Sequence, residues 1–271
     1  MEKASKKKKK IIIKEKEEEL LNVCEEGKIE EVKYLLAQPN IDPNYQNQNH
    51  STSLYIACVE GHLEIVKILL NDQRVEVNKS KYGETPFWIA CKVGYLEIIK
   101  LLLNDERVNV NVINGFGRSS FWIACSRGHI EVVKLLLNDH RFESDLNKED
   151  NKNETPFWIS CRTGELEIVK LLLNDERIDI NKGKGKVNGN VVTPLFIAVE
   201  NEHVEIVQCI LASQRDLDLE TKNREGKNIF DLAKMNKGLL SELLKSLKNN
   251  PNETREQLRK QLGLFGNIKY Y

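Results

Sequence analysis

From Leu96 the chain reads LEIIKLLLND, with apolar side chains at 96, 98, 99, 101, 102 and 103. A helix turning once every ~3.6 residues spreads those positions over a stripe too broad for a helix covered on one side only. The segment is therefore predicted to be sandwiched between neighbours. Just upstream, TPFWIACKVG at 85 to 94 is a shorter apolar run with punctuation at both ends. Thr85 is placed to cap a helix with its hydroxyl, and Pro86 then sits at the first helical position, where its missing N–H costs nothing. Gly94 suits a helix C-terminus at positive φ. The pattern predicts two short helices in succession. The turn-rich KYGE at 81 to 84 leads into the cap, with Gly83 as its positive-φ residue.

The same pattern returns along the chain. TPFWIAC at 85 to 91 reappears as SSFWIAC at 119 to 125 and as TPFWISC at 155 to 161. Aligning Ala57, Ala90, Ala124, Ser160, Ala198 and Ala233 gives steps of 33, 34, 36, 38 and 35 residues, and Val23 takes that place in an earlier, weaker unit. A period of this length marks a repeat architecture. Seven units are predicted within 17–247, at about 17–48, 49–81, 82–115, 116–151, 152–189, 190–224 and 225–247. One pair of short helices cannot bury its own apolar face. Each fully buried Leu or Ile contributes about 1.5–3 kcal/mol, against an ordering cost of about 1–2 kcal/mol per residue. Stability must come from stacking the pairs into a continuous core.

The flanks read differently. Residues 1–16, with KKKKK at 6 to 10 running into the acidic KEKEEE at 14 to 19, are expected to form a charged, disordered tail. Residues 248–271 are expected to form a helix and tail that close the stack, with Pro251 as interruption, Thr254 as cap, and Leu258, Leu262 and Phe265 on one face.

Composition narrows the function. Lys plus Arg equals Asp plus Glu at 41 each, so no global field draws the protein to nucleic acid or anionic membrane, and an electrostatic partner must meet a local patch. No run approaches the ~18 apolar residues of a membrane span. Ile11 to Ile13 is too short for a signal-peptide core. The chain is expected to be cytoplasmic or nuclear with reduced thiols, and its sequons at Asn49, Asn153 and Asn252 then carry no meaning.

Three features invite chemistry. Cys24, Cys58, Cys91, Cys125 and Cys161 lie 34, 33, 34 and 36 residues apart. A catalytic thiol needs its base and oxyanion site once, whereas this one recurs with the period; it reads as a small core residue. Cys58 with His62, and Cys125 with His129, are four apart, but the corresponding residues after Cys91 and Cys161 are Tyr95 and Glu165, so no ligand set repeats. GKGKVNGN at 183 to 190 lacks the spacing of a phosphate loop and reads as a basic hairpin tip.

TPFWIA at 85, TPFWIS at 155 and TPLFIA at 193, with GHLEIVKILL at 61 and GHIEVVKLLL at 128, resemble the T-P-L-H-x-A signature and second helix of the ankyrin-repeat family. The resemblance covers about residues 18 to 245 and implies an all-α solenoid of helix-turn-helix units joined by β-hairpin-like loops. One departure is systematic: where the family has His, this chain has Tyr55, Trp88, Trp122, Trp158 and Phe196. The polar link made by that His is thereby put in question, and an aromatic ladder is expected in its place.

The resemblance further implies a partner bound on the concave face and hairpin tips. The tips are Lys79, Ser80, Lys81, Tyr82 and Glu84; Val112, Ile113, Asn114, Phe116 and Arg118; and Glu149, Asp150, Lys152 and Glu154. The positions before each helix-ending glycine place Lys92, Arg127 and Arg162 in a basic stripe, suited to an acidic partner. Tyr82, Val112, Ile113 and Phe116 are expected as apolar anchors beside Arg118. Trp88, Trp122 and Trp158 are expected to stack in register between units and are also carried as partner-binding candidates. The expected function is a monomeric, non-enzymatic protein-binding scaffold with no cofactor, metal, small-molecule substrate or nucleic acid. The alternatives are the recognition arm of a larger catalytic or membrane assembly, and a thiol enzyme.

Overall fold

The N-terminal cap of each repeat decides where its first helix begins. In the structure, a computed structural model that describes residues 2–80, 82–183, 185–187, 190–223, 225–235 and 238–264, the chain forms two parts, Met1–Gly115 and Phe116–Tyr271. The predicted tip residue Lys81, the predicted face residue Phe265, and Lys184, Asn188 and Gly189 of the glycine-rich stretch lie outside the described residues.

The first part contains three helix pairs: α1 (Glu2–Glu25) with α2 (Ile29–Leu36), α3 (Ser53–Glu60) with α4 (Leu63–Asn71), and α5 (Pro86–Val93) with α6 (Leu96–Leu103). The second begins with α7 (Ser120–Ser126) and α8 (Ile130–Leu137), followed by a 3-10 turn at His140–Asp145, then α9 (Pro156–Thr163) and α10 (Leu166–Leu173). A hairpin of β1 (Gly185–Val187) and β2 (Asn190–Val192), with Gly185 opposite Val192, leads to α11 (Pro194–Glu200) and α12 (Val204–Ala212). α13 (Ile229–Met235), α14 (Leu239–Asn249) and α15 (Pro251–Gln261) complete it. First helices pack on first helices, α1 on α3 on α5 and α7 on α9 on α11 on α13. Second helices do the same, α2 on α4 on α6 and α8 on α10 on α12. The expected all-α repeat stack is the observed one.

The caps act as the sequence predicts. Thr52, Thr85, Ser119, Thr155 and Thr193 each accept a hydrogen bond from the backbone N–H three residues on, at 3.1–3.3 Å. Gly94 ends α5 at φ +92°. Gly83 has φ +80°, and a Cβ there would stand 2.0 Å from the carbonyl oxygen of Ile113, so both conformation and space demand glycine.

Both flanks correct the sequence reading. The tail predicted to be disordered over 1–16 is helical from Glu2, continuous with α1. Lys, Glu and Ala are strong helix formers, Lys14 and Glu18 pair one turn apart at 3.7 Å, and the last turns of α1 are anchored by buried Leu20, Leu21, Val23 and Cys24. At the other end Thr254 is no cap. Pro251 opens α15, and Thr254 is buried inside it, its hydroxyl 2.8 Å from that of Ser246. α15 packs on both α14 and α12 and buries Leu258 there, so it does close the stack.

A second periodic device was not foreseen. After four of the second helices, α4, α6, α8 and α10, the chain reads Asp-x-Arg: Asp72 and Arg74, Asp105 and Arg107, Asp139 and Arg141, Asp175 and Arg177. In each pair Nε donates to Oδ1 at 3.0 Å and Nη2 to Oδ2 at 2.6 Å. The guanidinium also reaches back one unit to a carbonyl at the end of a second helix: Arg74 to Leu36 at 2.8 Å, Arg107 to Leu70 at 2.7 Å and Arg177 to Leu137 at 2.9 Å. Those carbonyls have no intrahelical donor, and a cation beside them complements the helix dipole. An asparagine in the connector beyond the Arg position, Asn78 four residues after Arg74 and Asn147 six after Arg141, adds a rung. Asn78 donates to the Arg107 carbonyl at 2.6 Å and accepts from the Asn109 N–H at 2.8 Å, and Asn147 does the same with Arg177 and Asp179 at 2.7 and 2.8 Å.

Arg177→Ala is expected to lower unfolding free energy by about 1–3 kcal/mol, the range for charged hydrogen bonds and a buried carbonyl left unpaired. Urea denaturation of the full chain measures it, and an unchanged midpoint would show the clamp to be decorative.

Candidate functional site

Trp122 and Trp158 are each tied to their own helix by the backbone and to the next repeat by the ring. The backbone N–H of Trp122 and Trp158 meets the cap hydroxyl, while their indole Nε1 donates to the carbonyls of Glu154 at 2.8 Å and Val192 at 2.9 Å. Both acceptors immediately precede the next unit's cap. The indole thus supplies a polar link between successive units even though the histidine is absent. Trp88, Trp122 and Trp158 are at most 2% exposed. This corrects their place among partner-binding candidates: their rings have no surface to offer, because they fill the interior of the stack.

The basic stripe is also redrawn. Counting from the cap, Lys92 and Arg162 stand seven residues after Thr85 and Thr155, but seven after Ser119 is Ser126, and Arg127 is one further. One residue turns a helix by ~100°, so Arg127 is out of line; it occupies the C-cap of α7 and is exposed. What repeats instead is a cation over each indole. The Lys92 ammonium lies 5.6 Å from the Trp88 ring centroid and the Arg162 guanidinium 5.7 Å from that of Trp158. In the unit with Ser126, Arg118 takes the role from the loop, 4.2 Å from Trp122.

Arg118 is consequently a fixed group. Its guanidinium also lies 5.5 Å from the Phe116 ring centroid, and its Nε donates to Asp150 Oδ2 at 3.1 Å. Asp150 orders the loop that follows: its Oδ1 accepts from the backbone N–H groups of Lys152 at 2.8 Å and Glu154 at 3.1 Å. Glu154 is fully buried, 3.4 Å from Arg162 through Oε1, while Oε2 has no hydrogen-bond partner. Burial, reinforced by Asp150, pushes the Glu154 carboxyl above its usual value, and Arg162, Lys152 and Arg118 offset only part of this. The sequence placed Asn114, Asp150 and Glu154 among the tips; all three are buried, because they bind the loops together rather than face outward. Nothing in the local pattern distinguishes them from exposed polar loop residues.

Of the remaining tips, Lys79, Ser80, Glu84 and Arg118 are half-buried, and Glu149 and Lys152 are exposed. Tyr82 and Phe116 are 76% and 62% exposed, Ile113 is exposed, and Val112 is half-buried. Tyr82 holds φ at +54°, a left-handed conformation uncommon outside glycine, which turns the loop beside Gly83.

The thiols are all interior. Cys24, Cys58, Cys91, Cys125, Cys161 and Cys209 are buried and unpaired with one another. Burial pushes the Cys24 thiol up to about 12 and those of Cys58, Cys91, Cys125 and Cys161 well above the usual thiol range. Nucleophilic catalysis needs the opposite shift. Among the described residues no group of three or more His, Cys, Asp or Glu is placed to hold a metal ion. The ring of His62 instead bonds the Glu25 carbonyl at 3.0 Å, far from any role with Cys58.

Comparison with known proteins agrees with this architecture. Residues 20–114 and 106–184 match the family profile for ankyrin repeats in three copies, and residues 192–222 match that of a single ankyrin repeat. The ankyrin repeat domain of human ASB11, a crystal structure, aligns with a TM-score of 0.66 at 26% identity, over 79% of this chain and 90% of that one. Serine/threonine-protein kinase 12 of Arabidopsis thaliana is 38% identical over 69 residues, 25% of this chain but 15% of the kinase. The chain therefore matches only a small share of that curated relative's length.

Two outcomes follow from the buried links. Trp122→Phe keeps a ring but removes the donor to the Glu154 carbonyl, and should cost about 1–3 kcal/mol by chemical denaturation. Glu154→Gln probes the raised carboxyl. The folded state holds the Glu154 proton more tightly than the unfolded chain does, so wild-type stability falls as pH rises from the unfolded value through the folded one. The glutamine variant, which cannot ionise, should melt with wild type near pH 4 and above it at pH 7; a variant that melts lower at pH 7 contradicts the assignment.

Proposed function

The chain belongs to the ankyrin-repeat family, whose repeats generally mediate protein–protein interaction, and we propose that it is a non-enzymatic scaffold or adaptor that docks a partner protein through its loop tips and first-helix ends. One observation carries the reading: aromatic groups that a folded chain would ordinarily bury, Tyr82 and Phe116, stand exposed on loops whose backbones are held by internal hydrogen bonds. The Tyr82 carbonyl accepts from Gly115 N–H at 2.6 Å, and the Phe116 carbonyl accepts from Asn151 N–H at 2.9 Å. Rigid aromatic anchors lose little entropy on binding and are typical interface hot spots.

The partner in this reading is acidic. Arg127 and Arg162 are exposed cations, and Arg118 holds its charge against the exposed Phe116 ring. Arg162 has a compensating carboxylate in Glu154, so Arg127 is the cation with more to gain from a partner's carboxylate.

A second reading has the short kinase match behind it: the array would serve as the recognition arm of a catalytic assembly. Co-purification of a catalytic subunit with the full chain separates this from a free adaptor.

The combined variant Tyr82→Ala, Phe116→Ala and Arg127→Glu alters exposed positions and should leave the melting temperature within a few degrees of wild type. It should reduce partner recovery, read by crosslinking mass spectrometry in the native cell, by about ten-fold or more, the effect of ~1.4 kcal/mol. Identical crosslink patterns would remove these residues from consideration.

A further inference from the structure

The last turns of α1 are fixed to the first repeat. Leu20, Leu21, Val23 and Cys24 are buried, Glu17 accepts from the Asp42 N–H at 3.3 Å, and Glu18 accepts from the Tyr45 hydroxyl at 3.0 Å. Further back along the same helix, apolar side chains stand in water instead. Ile11 is 50% and Ile12 44% exposed, within a run of three isoleucines. At ~100° per residue, Ile11 lies on the side of the helix opposite Leu20, and Lys7, four positions before it, and Glu15, four after, share that outer side.

Charge changes sign across the isoleucines: Lys6, Lys7, Lys8, Lys9 and Lys10 precede them, and Glu15, Glu17, Glu18 and Glu19 follow. A helix dipole favours the reverse order, with anions towards the start and cations towards the end. Nor does this order suit an anionic surface, which the exposed Glu15 would meet together with the lysines. It does suit a second copy of the same helix running the other way. A two-fold axis beside the isoleucines sets Ile11 opposite Ile12 and, three positions outwards on each strand of the pair, Lys8 opposite Glu15. Every contact then occurs twice, as an isologous interface requires. The isoleucines supply apolar burial. The charge blocks supply direction, since a parallel pair would set lysine on lysine and glutamate on glutamate.

We propose that α1 is a self-association surface that joins two copies of this chain as an antiparallel helix pair centred on Ile11 and Ile12, in place of the monomer expected from the sequence. The stretch from Ala4 to Glu19 is about 24 Å long, and a single helix pair of that length belongs among weak, reversible interfaces. None of the residues assigned to the docked partner takes part, so this proposal and the adaptor reading fail separately.

Sedimentation velocity of the full chain over a concentration series tests it. A monomer–dimer equilibrium is expected, weakened about ten-fold or more from low to high salt because the paired charges are screened. Ile11→Gln with Ile12→Gln alters exposed positions, keeps good helix formers there, and should weaken the dimer about ten-fold or more with an unchanged melting temperature. Lys7→Glu with Lys8→Glu, and separately Glu15→Lys with Glu19→Lys, should each leave a monomer, and the two variants should pair when mixed. A wild type that stays monomeric at every concentration overturns the proposal. So does a dimer as tight in these variants as in wild type, or a mixture of the two charge variants that stays monomeric. Cosedimentation of a monomeric wild type with phosphatidylserine-containing vesicles, lost in Lys7→Glu with Lys8→Glu, would assign the helix to a lipid surface instead.

Discussion

An α-helix of eight residues has no intrahelical partner for four N–H groups at its start and four carbonyls at its end, so half of its backbone polar groups would be unsatisfied if it stood alone. Among the described residues, twelve of the fifteen α-helices have only seven to nine residues. The protein's structure depends on supplying those ends from outside the helix. Cap hydroxyls of Thr52, Thr85, Ser119, Thr155 and Thr193 serve the first helices. Arginines from the next unit serve the ends of the second helices, with Arg74, Arg107 and Arg177 each crossing one repeat to do so. The apolar core would permit helices to slide against one another, since burial is non-directional. Directional bonds across the repeat boundaries within each of the two parts hold the register.

The tryptophans belong to the same economy of hydrogen bonds. An indole offers a large apolar ring and a single donor, and here both are used at once: the ring fills the stack while Nε1 satisfies a carbonyl of the following loop. The cation that lies on each ring then sits at a set place on the surface. Surface charge is in this way organised by the core. Lys92, Arg118 and Arg162 are positioned by Trp88, Trp122 and Trp158, and two of them are partly neutralised by Asp150 and Glu154. Arg127, which no ring holds, is the exception.

Much of this was legible in the sequence. The 33- to 38-residue period, the Thr-Pro caps, the glycine at 83 and the interior thiols follow from residue type and spacing, because each depends on local stereochemistry or on recurrence. The Asp-x-Arg and asparagine rungs were equally periodic, yet their purpose was not, since the acceptors lie a whole repeat away. Glu154 and Asp150 could not be told from solvated loop residues: a carboxylate reads the same whether it faces water or closes a loop. The N-terminal run was misjudged because charge density argues for disorder while the same Lys and Glu residues favour helix. Thr254 was misjudged because Pro251 begins α15 instead of breaking it.

By itself the sequence determined a stack of paired helices, where each helix starts and stops, and that its cysteines are building elements. These are consequences of periodicity and of bond geometry within a few residues. Which side chains face a partner was decided only by the tertiary structure. Exposure is a property of what lies opposite a residue, and here that neighbour is distant in sequence: the Trp122 and Trp158 rings reach the loop before the next repeat's cap, Arg118 and Arg162 are paired to the loop carboxylates Asp150 and Glu154, and Tyr82 and Phe116 are left in water.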